Sequence, residues 1–122
     1  MTRKHAIVEA APSLLVSHGA DFFGEDRHPL AAVRALGPYA QNSVPWDDRP
    51  TIAPLVQLLE DLADREARSF PPAEAAQLSE QLLVIARNRR IKTAVAELAR
   101  ALADAAARAA ADSEPWTWSV ET

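Results

Sequence analysis

Apolar residues recur with two different periods along the chain, and the two periods predict two kinds of element. Between residues 51 and 111 they return every three or four positions, which is the spacing of amphipathic helices. At 13–18 a short apolar run is followed by a glycine, and at 116–120 large apolar residues alternate with small polar ones. Both of these shorter patterns are typical of β-strands.

Three or four helices are predicted between these strands. The first spans 28–38, where Pro29 suits the first turn and Gly37 and Pro38 form a stop signal. Asp26 is the expected N-cap of this helix, because its side chain can accept hydrogen bonds from the first backbone N–H groups.

A loop is expected at 38–50, since it carries three prolines among polar residues. The second helix begins near Thr51 and ends before the Pro71–Pro72 pair, and the third begins at Pro72. The fourth either begins near Ile91 or continues the third with a bend.

The two predicted strands are natural partners, because each presents one apolar face. The sequence therefore predicts an α+β fold, predominantly helical, with three to four helices packed on a small antiparallel sheet formed by the N- and C-terminal strands. Residues 1–12 are expected to form a loosely ordered leader, and 13–122 a single domain. A chain of 122 residues can bury a core without disulfide or metal staples.

Composition narrows the classes of function. The absence of cysteine excludes disulfides, thiolate nucleophiles and cysteine-ligated zinc. No signal peptide is recognised and no apolar run approaches the ~20 residues of a membrane span, so a cytoplasmic protein without membrane contact is expected. The net charge of −4 argues against a protein dedicated to coating nucleic acid.

The segment 17–28 holds two of the three histidines, two of the three glycines and three carboxylates, so it is the densest candidate for a ligand or partner contact. Its candidate contact residues are His18, Asp21, Glu25, Arg27 and His28. Histidine with carboxylate suits zinc, manganese or iron, but the spacings match no metal motif, so no metal or cofactor is assigned. We favour a structural interpretation, in which the carboxylates cap turns and the glycines supply positive φ angles.

A hydrolase is disfavoured at the same segment. Ser17 and His18 are adjacent on the predicted strand, so their side chains are expected to point to opposite faces. They are not expected to form a nucleophile–base pair unless the strand has already ended. No catalytic residue is assigned, and the chain is interpreted as more consistent with a non-enzyme.

Two further features could carry contacts. The basic residues Arg87, Arg89, Arg90 and Lys92 could meet nucleic acid or an acidic partner, but we favour their pairing with the acidic second helix. Trp116 and Trp118 are expected in the core, whereas Trp46, in a polar loop bounded by proline, is the better candidate for an exposed contact.

The stretches 18–24 and 114–119 resemble small uncharacterised proteins of high-GC actinobacteria. That resemblance implies a cytoplasmic bacterial or phage-associated accessory protein, and it carries over no functional residue. The function expected from the sequence is therefore that of a small non-catalytic accessory or regulatory protein acting through protein–protein interaction. Self-association is included, because a terminal strand at the edge of the sheet could pair with a second copy. The alternatives are a metal- or ligand-dependent enzyme centred on 17–28 and a nucleic-acid-binding regulator using 87–92.

Overall fold

The computed structural model describes residues 11–20, 23–62 and 67–121. Its sheet has four strands in the order β2-β1-β4-β3, and every neighbouring pair is antiparallel. The strands are β1 (Ser13–Ser17), β2 (Glu25–Pro29), β3 (Ala67–Phe70) and β4 (Trp116–Glu121). The expected leader falls almost wholly on residues 1–10, which lie outside the described residues.

The predicted α+β fold is confirmed, with β1 and β4 paired as expected. The expectation that the terminal strand lies at a sheet edge is wrong, since β4 lies between β1 and β3. The edges are β2, which carries three charged residues and ends in Pro29, and β3, which has only four residues. Short, charged and proline-bearing edges resist pairing with another chain, so the sheet gives little support to self-association through a strand.

Helices cover one face of the sheet. They are α1 (Leu30–Arg34), α2 (Leu36–Asn42), α3 (Arg49–Glu60), α4 (Pro72–Ala86) and α5 (Thr93–Ala111), with one 3₁₀ turn at Trp46–Asp48. Contrary to the sequence prediction, Gly37 and Pro38 do not mark the end of a helix. They occupy the first turn of α2, where a proline is tolerated because its missing N–H has no helical partner. The third and fourth predicted helices are separate, since α4 ends at Ala86 and α5 begins at Thr93.

Three buried aromatic rings of β3 and β4 form a cluster on one face of the sheet. Trp116 and Trp118 are buried, as predicted, and their ring centroids lie 5.3 Å apart in an edge-to-face arrangement. Phe70 meets Trp118 in the same way at 5.3 Å. Such pairs add about 0.5–1.5 kcal/mol each beyond the area that they bury.

The opposite face of the sheet is polar. Ser13, Leu15 and Ser17 alternate with the buried Leu14 and Val16 along β1. An ion pair between Arg27 of β2 and Glu121 of β4 crosses this face. Among the described residues, no helix is both long and apolar enough to cross a membrane.

Candidate functional site

The end of β1 meets the connection between α5 and β4. β1 ends at Ser17, and His18 then takes a left-handed conformation with φ of 60°. On the other segment α5 ends at Ala111, and Ser113 is also left-handed with φ of 58°. These two bends bring His18 against Asp112 and Glu114, and we call these three residues the His18 cluster.

The imidazole of His18 has polar partners on both ring nitrogens. Nε2 lies 2.8 Å from Oε1 of Glu114 and 4.0 Å from Oδ2 of Asp112, while Nδ1 lies 3.1 Å from Oγ of Ser17. The His18 side chain is 18% exposed, whereas those of Asp112 and Glu114 are 61% and 62% exposed. The cluster is therefore a largely buried imidazole that faces two carboxylates at the surface.

Backbone contacts fix the position of the imidazole. The indole Nε1 of Trp116 donates to the carbonyl of Ser17 at 3.0 Å, and the backbone N–H of Thr117 donates to Oγ of Ser17 at 2.8 Å. Arg108 of α5 donates from Nη1 to the carbonyl of His18 at 2.9 Å. The end of β1 is thus held by α5 and β4 together.

Ser17 and His18 form a hydrogen bond, which is the exception expected where the strand has already ended. The argument from alternating strand faces does not apply, because β1 ends at Ser17 and the positive φ of His18 turns its side chain back. If Nε2–H donates to Glu114, then Nδ1 accepts from the Ser17 hydroxyl, which is the order of a serine–histidine–carboxylate relay. However, Ser17 Oγ already accepts the N–H of Thr117, and this bond withdraws electron density from the oxygen. We therefore interpret these hydrogen bonds as structural contacts that orient the imidazole, and not as a catalytic relay.

The predicted contact residues of segment 17–28 are not gathered around His18. Asp21 lies outside the described residues. Glu25 and Arg27 are exposed on β2, and Arg27 pairs with Glu121. His28 is half-buried on the other face of the same strand, opposite Leu14.

Burial lowers the pKa of His28 below 6.5, because the charged imidazolium loses hydration there, and the nearby charge of Asp26 opposes the shift in part. Nε2 of His28 is buried and has no hydrogen-bond partner within the part of the chain that the structure describes. His28 is therefore held as a neutral side chain of the sheet.

Asp26 does not cap the first helix as predicted, because it lies within β2. Its Oδ1 accepts the backbone N–H of Ala20 at 3.0 Å. Gly19 lies so close that a Cβ atom there would collide with both the backbone nitrogen and the side chain of Asp26. Asp26 and Gly19 together form the turn that follows β1.

A second surface surrounds Trp46, whose side chain is 74% exposed. The guanidinium carbon of Arg49 lies 4.6 Å from the centre of its ring, within the range of a cation–π contact. Beside the ring, a groove of about 430 Å³ has the exposed Pro50 and Ala53 and the buried Ile52 and Val56 in its lining, together with the polar side chains of Gln57 and Glu60.

The basic loop between α4 and α5 borders this surface. Arg87, Arg89, Arg90 and Lys92 are exposed, and none of them forms an ion pair with another described residue, contrary to the expected pairing with the acidic helix. Asn88 holds the loop by donating to Oγ of Ser43 at 3.0 Å and accepting the N–H of Arg90 at 2.9 Å.

The basic loop and Trp46 line two separate depressions, which the consecutive residues Pro45 and Trp46 connect. The loop and the segment Val44–Pro45 line a common depression, and Trp46 follows directly in the chain. We call the surface across both depressions, made of Trp46, Arg49, Arg87, Arg89 and Arg90, the Trp46–arginine face.

One protein-family model matches this chain. A model described as a domain of unknown function (DUF7739) matches residues 19–119. The chain belongs to this family. No curated protein and no solved structure matches it significantly. The family match agrees with the expectation of an uncharacterised protein, and its description supplies no activity.

Sequence reasoning missed two members of the His18 cluster. Asp112 and Glu114 stand before Pro115, where polar residues ordinarily mark the end of a helix. Glu114 lies 96 positions from His18, so no local spacing could connect them. The sequence signal for these two residues was the polar turn 112–114, which lies between α5 and the alternating pattern of β4.

Proposed function

We propose that this chain is a non-catalytic accessory protein that binds another protein through the Trp46–arginine face. The observation that carries the proposal is the exposure of the Trp46 indole beside an apolar groove. Tryptophan and arginine are the residues most enriched among those that dominate binding energy at protein interfaces. The ring is also positioned in advance, because it sits on a 3₁₀ turn at the start of α3 and contacts Arg49.

The chemistry of the face defines the partner. The exposed apolar lining of the groove, made of Trp46, Pro50 and Ala53, suits an aliphatic or aromatic side chain. The neighbouring arginines lack ion-pair partners among the described residues, so they attract carboxylates. The expected partner is therefore a protein segment with an apolar anchor residue and acidic residues beside it.

A protein segment fits this face better than nucleic acid does. Arg49 already covers the Trp46 ring, which leaves less of it for a stacked base. Asp47 and Asp48 follow Trp46 in the chain, and the whole chain carries a charge of −4, so a densely charged polyanion is repelled more strongly than a protein segment with a few carboxylates.

The proposal is tested with a phage-displayed library of random 16-residue peptides selected against the immobilised protein. We expect the enriched peptides to combine one large apolar residue with acidic neighbours. Binding of the synthesised peptides should shift the fluorescence of Trp46, because the other two tryptophans are buried. Trp46→Ala and the double variant Arg89→Glu/Arg90→Glu should each weaken binding by about tenfold or more.

Arg100→Glu is the matched control, since Arg100 is an exposed arginine of α5 outside the face. It should leave peptide binding unchanged. An absence of enriched peptides, or peptides whose binding ignores Trp46→Ala, contradicts the proposal. Arginine-dependent binding of a 20-nucleotide single-stranded DNA at low salt, without peptide binding, would support the nucleic-acid alternative instead. Self-association that Trp46→Ala abolishes in sedimentation experiments would identify a second copy as the occupant.

A further inference from the structure

We propose that the His18 cluster binds one zinc ion through Nε2 of His18 and one carboxylate oxygen each from Asp112 and Glu114. This site is separate from the Trp46–arginine face. It also differs from the ligand set weighed at 17–28, because two of its three ligands come from the α5–β4 connection.

The spacing of the three groups suits a small transition-metal ion. Zinc binds imidazole nitrogen and carboxylate oxygen at about 2.0–2.2 Å, which places the ligands of a tetrahedral site about 3.3 Å from one another. The two distances from Nε2, 2.8 Å to Glu114 and 4.0 Å to Asp112, lie on either side of that value. One ligand atom of each residue lies within 4.8 Å of the others, so a small rotation of the exposed carboxylates closes the site.

The second nitrogen of the imidazole is already positioned for metal binding. In proteins a metal-binding histidine usually donates its other N–H to an oxygen, which fixes the ring and the tautomer. Oγ of Ser17 lies 3.1 Å from Nδ1 and can accept that hydrogen bond. Zinc takes the place of the Nε2 proton that otherwise donates to Glu114, so the zinc-bound imidazole carries its proton on Nδ1 and presents the lone pair of Nε2 to the metal.

The local charge also favours a cation. With a neutral imidazole, the cluster has two carboxylates against one nearby guanidinium, that of Arg108, which is bonded to the carbonyl of His18. The carbonyl end of the 19-residue helix α5 adds partial negative charge at the same place. Three protein ligands leave the fourth zinc position for water, which is the pattern of an open site.

The choice of zinc follows from the donors. Imidazole binds zinc well, whereas magnesium and calcium prefer oxygen-only sites with six or more ligands. A zinc ion here would cross-link His18, at the end of β1, to Asp112 and Glu114 in the turn that precedes β4.

The test is calorimetric titration of ZnCl₂ into protein that carries no polyhistidine tag, with MgCl₂ in parallel. We expect one zinc per chain, a melting temperature raised by zinc but not by magnesium, and a shift of the His18 Nε2 resonance in ¹⁵N NMR spectra. His18→Asn, Asp112→Asn and Glu114→Gln should each weaken zinc binding by about tenfold or more. Asparagine is chosen because it tolerates the left-handed backbone of position 18.

His28→Gln and Asp104→Asn are the matched controls, since one changes another histidine and the other an exposed carboxylate of α5. Both should bind zinc like the unchanged protein. Circular dichroism establishes that each variant is folded, and the two exposed carboxylate variants keep the test decisive if His18→Asn does not fold. Zinc binding that survives all three cluster substitutions, or magnesium binding of equal strength, would overturn the proposal.

Discussion

Gly19 occupies a position where the protein has no room for a side chain. A Cβ atom would meet the backbone nitrogen of Asp26, and backbone cannot move aside as a flexible side chain can. We expect Gly19→Ala to lower the free energy of unfolding by about 1–3 kcal/mol, the usual range for overpacking. Urea denaturation measures the change.

Gly37→Ala is the control for that substitution. A Cβ atom at position 37 would lie 3.4 Å from Cγ of Glu60, which is ordinary contact, and Gly37 lies within α2, where alanine is the better helix former. This variant should be as stable as the unchanged protein or slightly more stable. Equal losses at positions 19 and 37 would show that the close approach to Asp26 is unimportant.

His28 predicts a pH dependence of stability. Its pKa is lowered in the folded protein by burial, so the unfolded chain binds the proton more readily. Well above pH 6.5 the imidazole is neutral in both states and the effect vanishes. As the pH falls below 6.5 the free energy of unfolding declines, and it stops declining once the pH passes the lowered pKa of the folded state.

His28→Gln removes this titration. We expect the variant to lose less stability than the unchanged protein between pH 7.5 and pH 5, as measured by urea denaturation at each pH. The other two histidines are present in both proteins, so their contributions cancel in the comparison. Identical losses in the two proteins would contradict the assignment.

At the scale of elements, α5 owes its close packing to alanine. Ala103, Ala106 and Ala109 are fully buried, and Oγ of Ser79 on α4 donates to the carbonyl of Ala103 at 2.8 Å. An alanine-rich helix end can pack closely against a neighbour or stay exposed, because alanine favours helix and buries little area. The structure settles the question, because the small side chains lie inside the core.

Ala106→Leu should therefore destabilise the protein by about 1–3 kcal/mol, because the core has no space for three more carbon atoms. Ala107→Leu places the same side chain at the next position, which is exposed, and should change stability by less than about 0.5 kcal/mol. Thermal unfolding of the two variants gives the comparison. A loss at Ala107→Leu as large as that at Ala106→Leu would contradict the buried face assigned to α5.

Two strands escaped prediction for a physical reason. β2 consists of Glu25, Asp26, Arg27, His28 and Pro29, and none of these residues has a strong preference for strands. An edge strand takes its conformation from the ladder with its neighbour, here β1, and that ladder leaves no periodic signal in the sequence. The central strands were predictable because burial on one face imposes the alternation of Trp116 and Trp118.

For the whole molecule, the sequence predicts the fold class better than the candidate site. Periodicity reflects burial, so it locates the helices and the central strands. His18 and Trp46 were identified because a histidine after a strand and a tryptophan in a polar loop are locally unusual. Asp112 and Glu114 join His18 only through the pairing of β1 with β4, and such a non-local contact is invisible to local spacing.

Because β4 lies between β1 and β3, the sheet can be completed only after the last strand in the chain is available. β1 pairs with β2 through a short connection, and α4 packs on α5 within one neighbouring stretch of chain, so both pairs close small loops. β3, in contrast, has β4 as its ladder partner, and β4 also supplies the two indoles that close the core. A growing chain therefore keeps β3 unpaired, and the apolar face of β1 without its indoles, until residues 116–121 have been added.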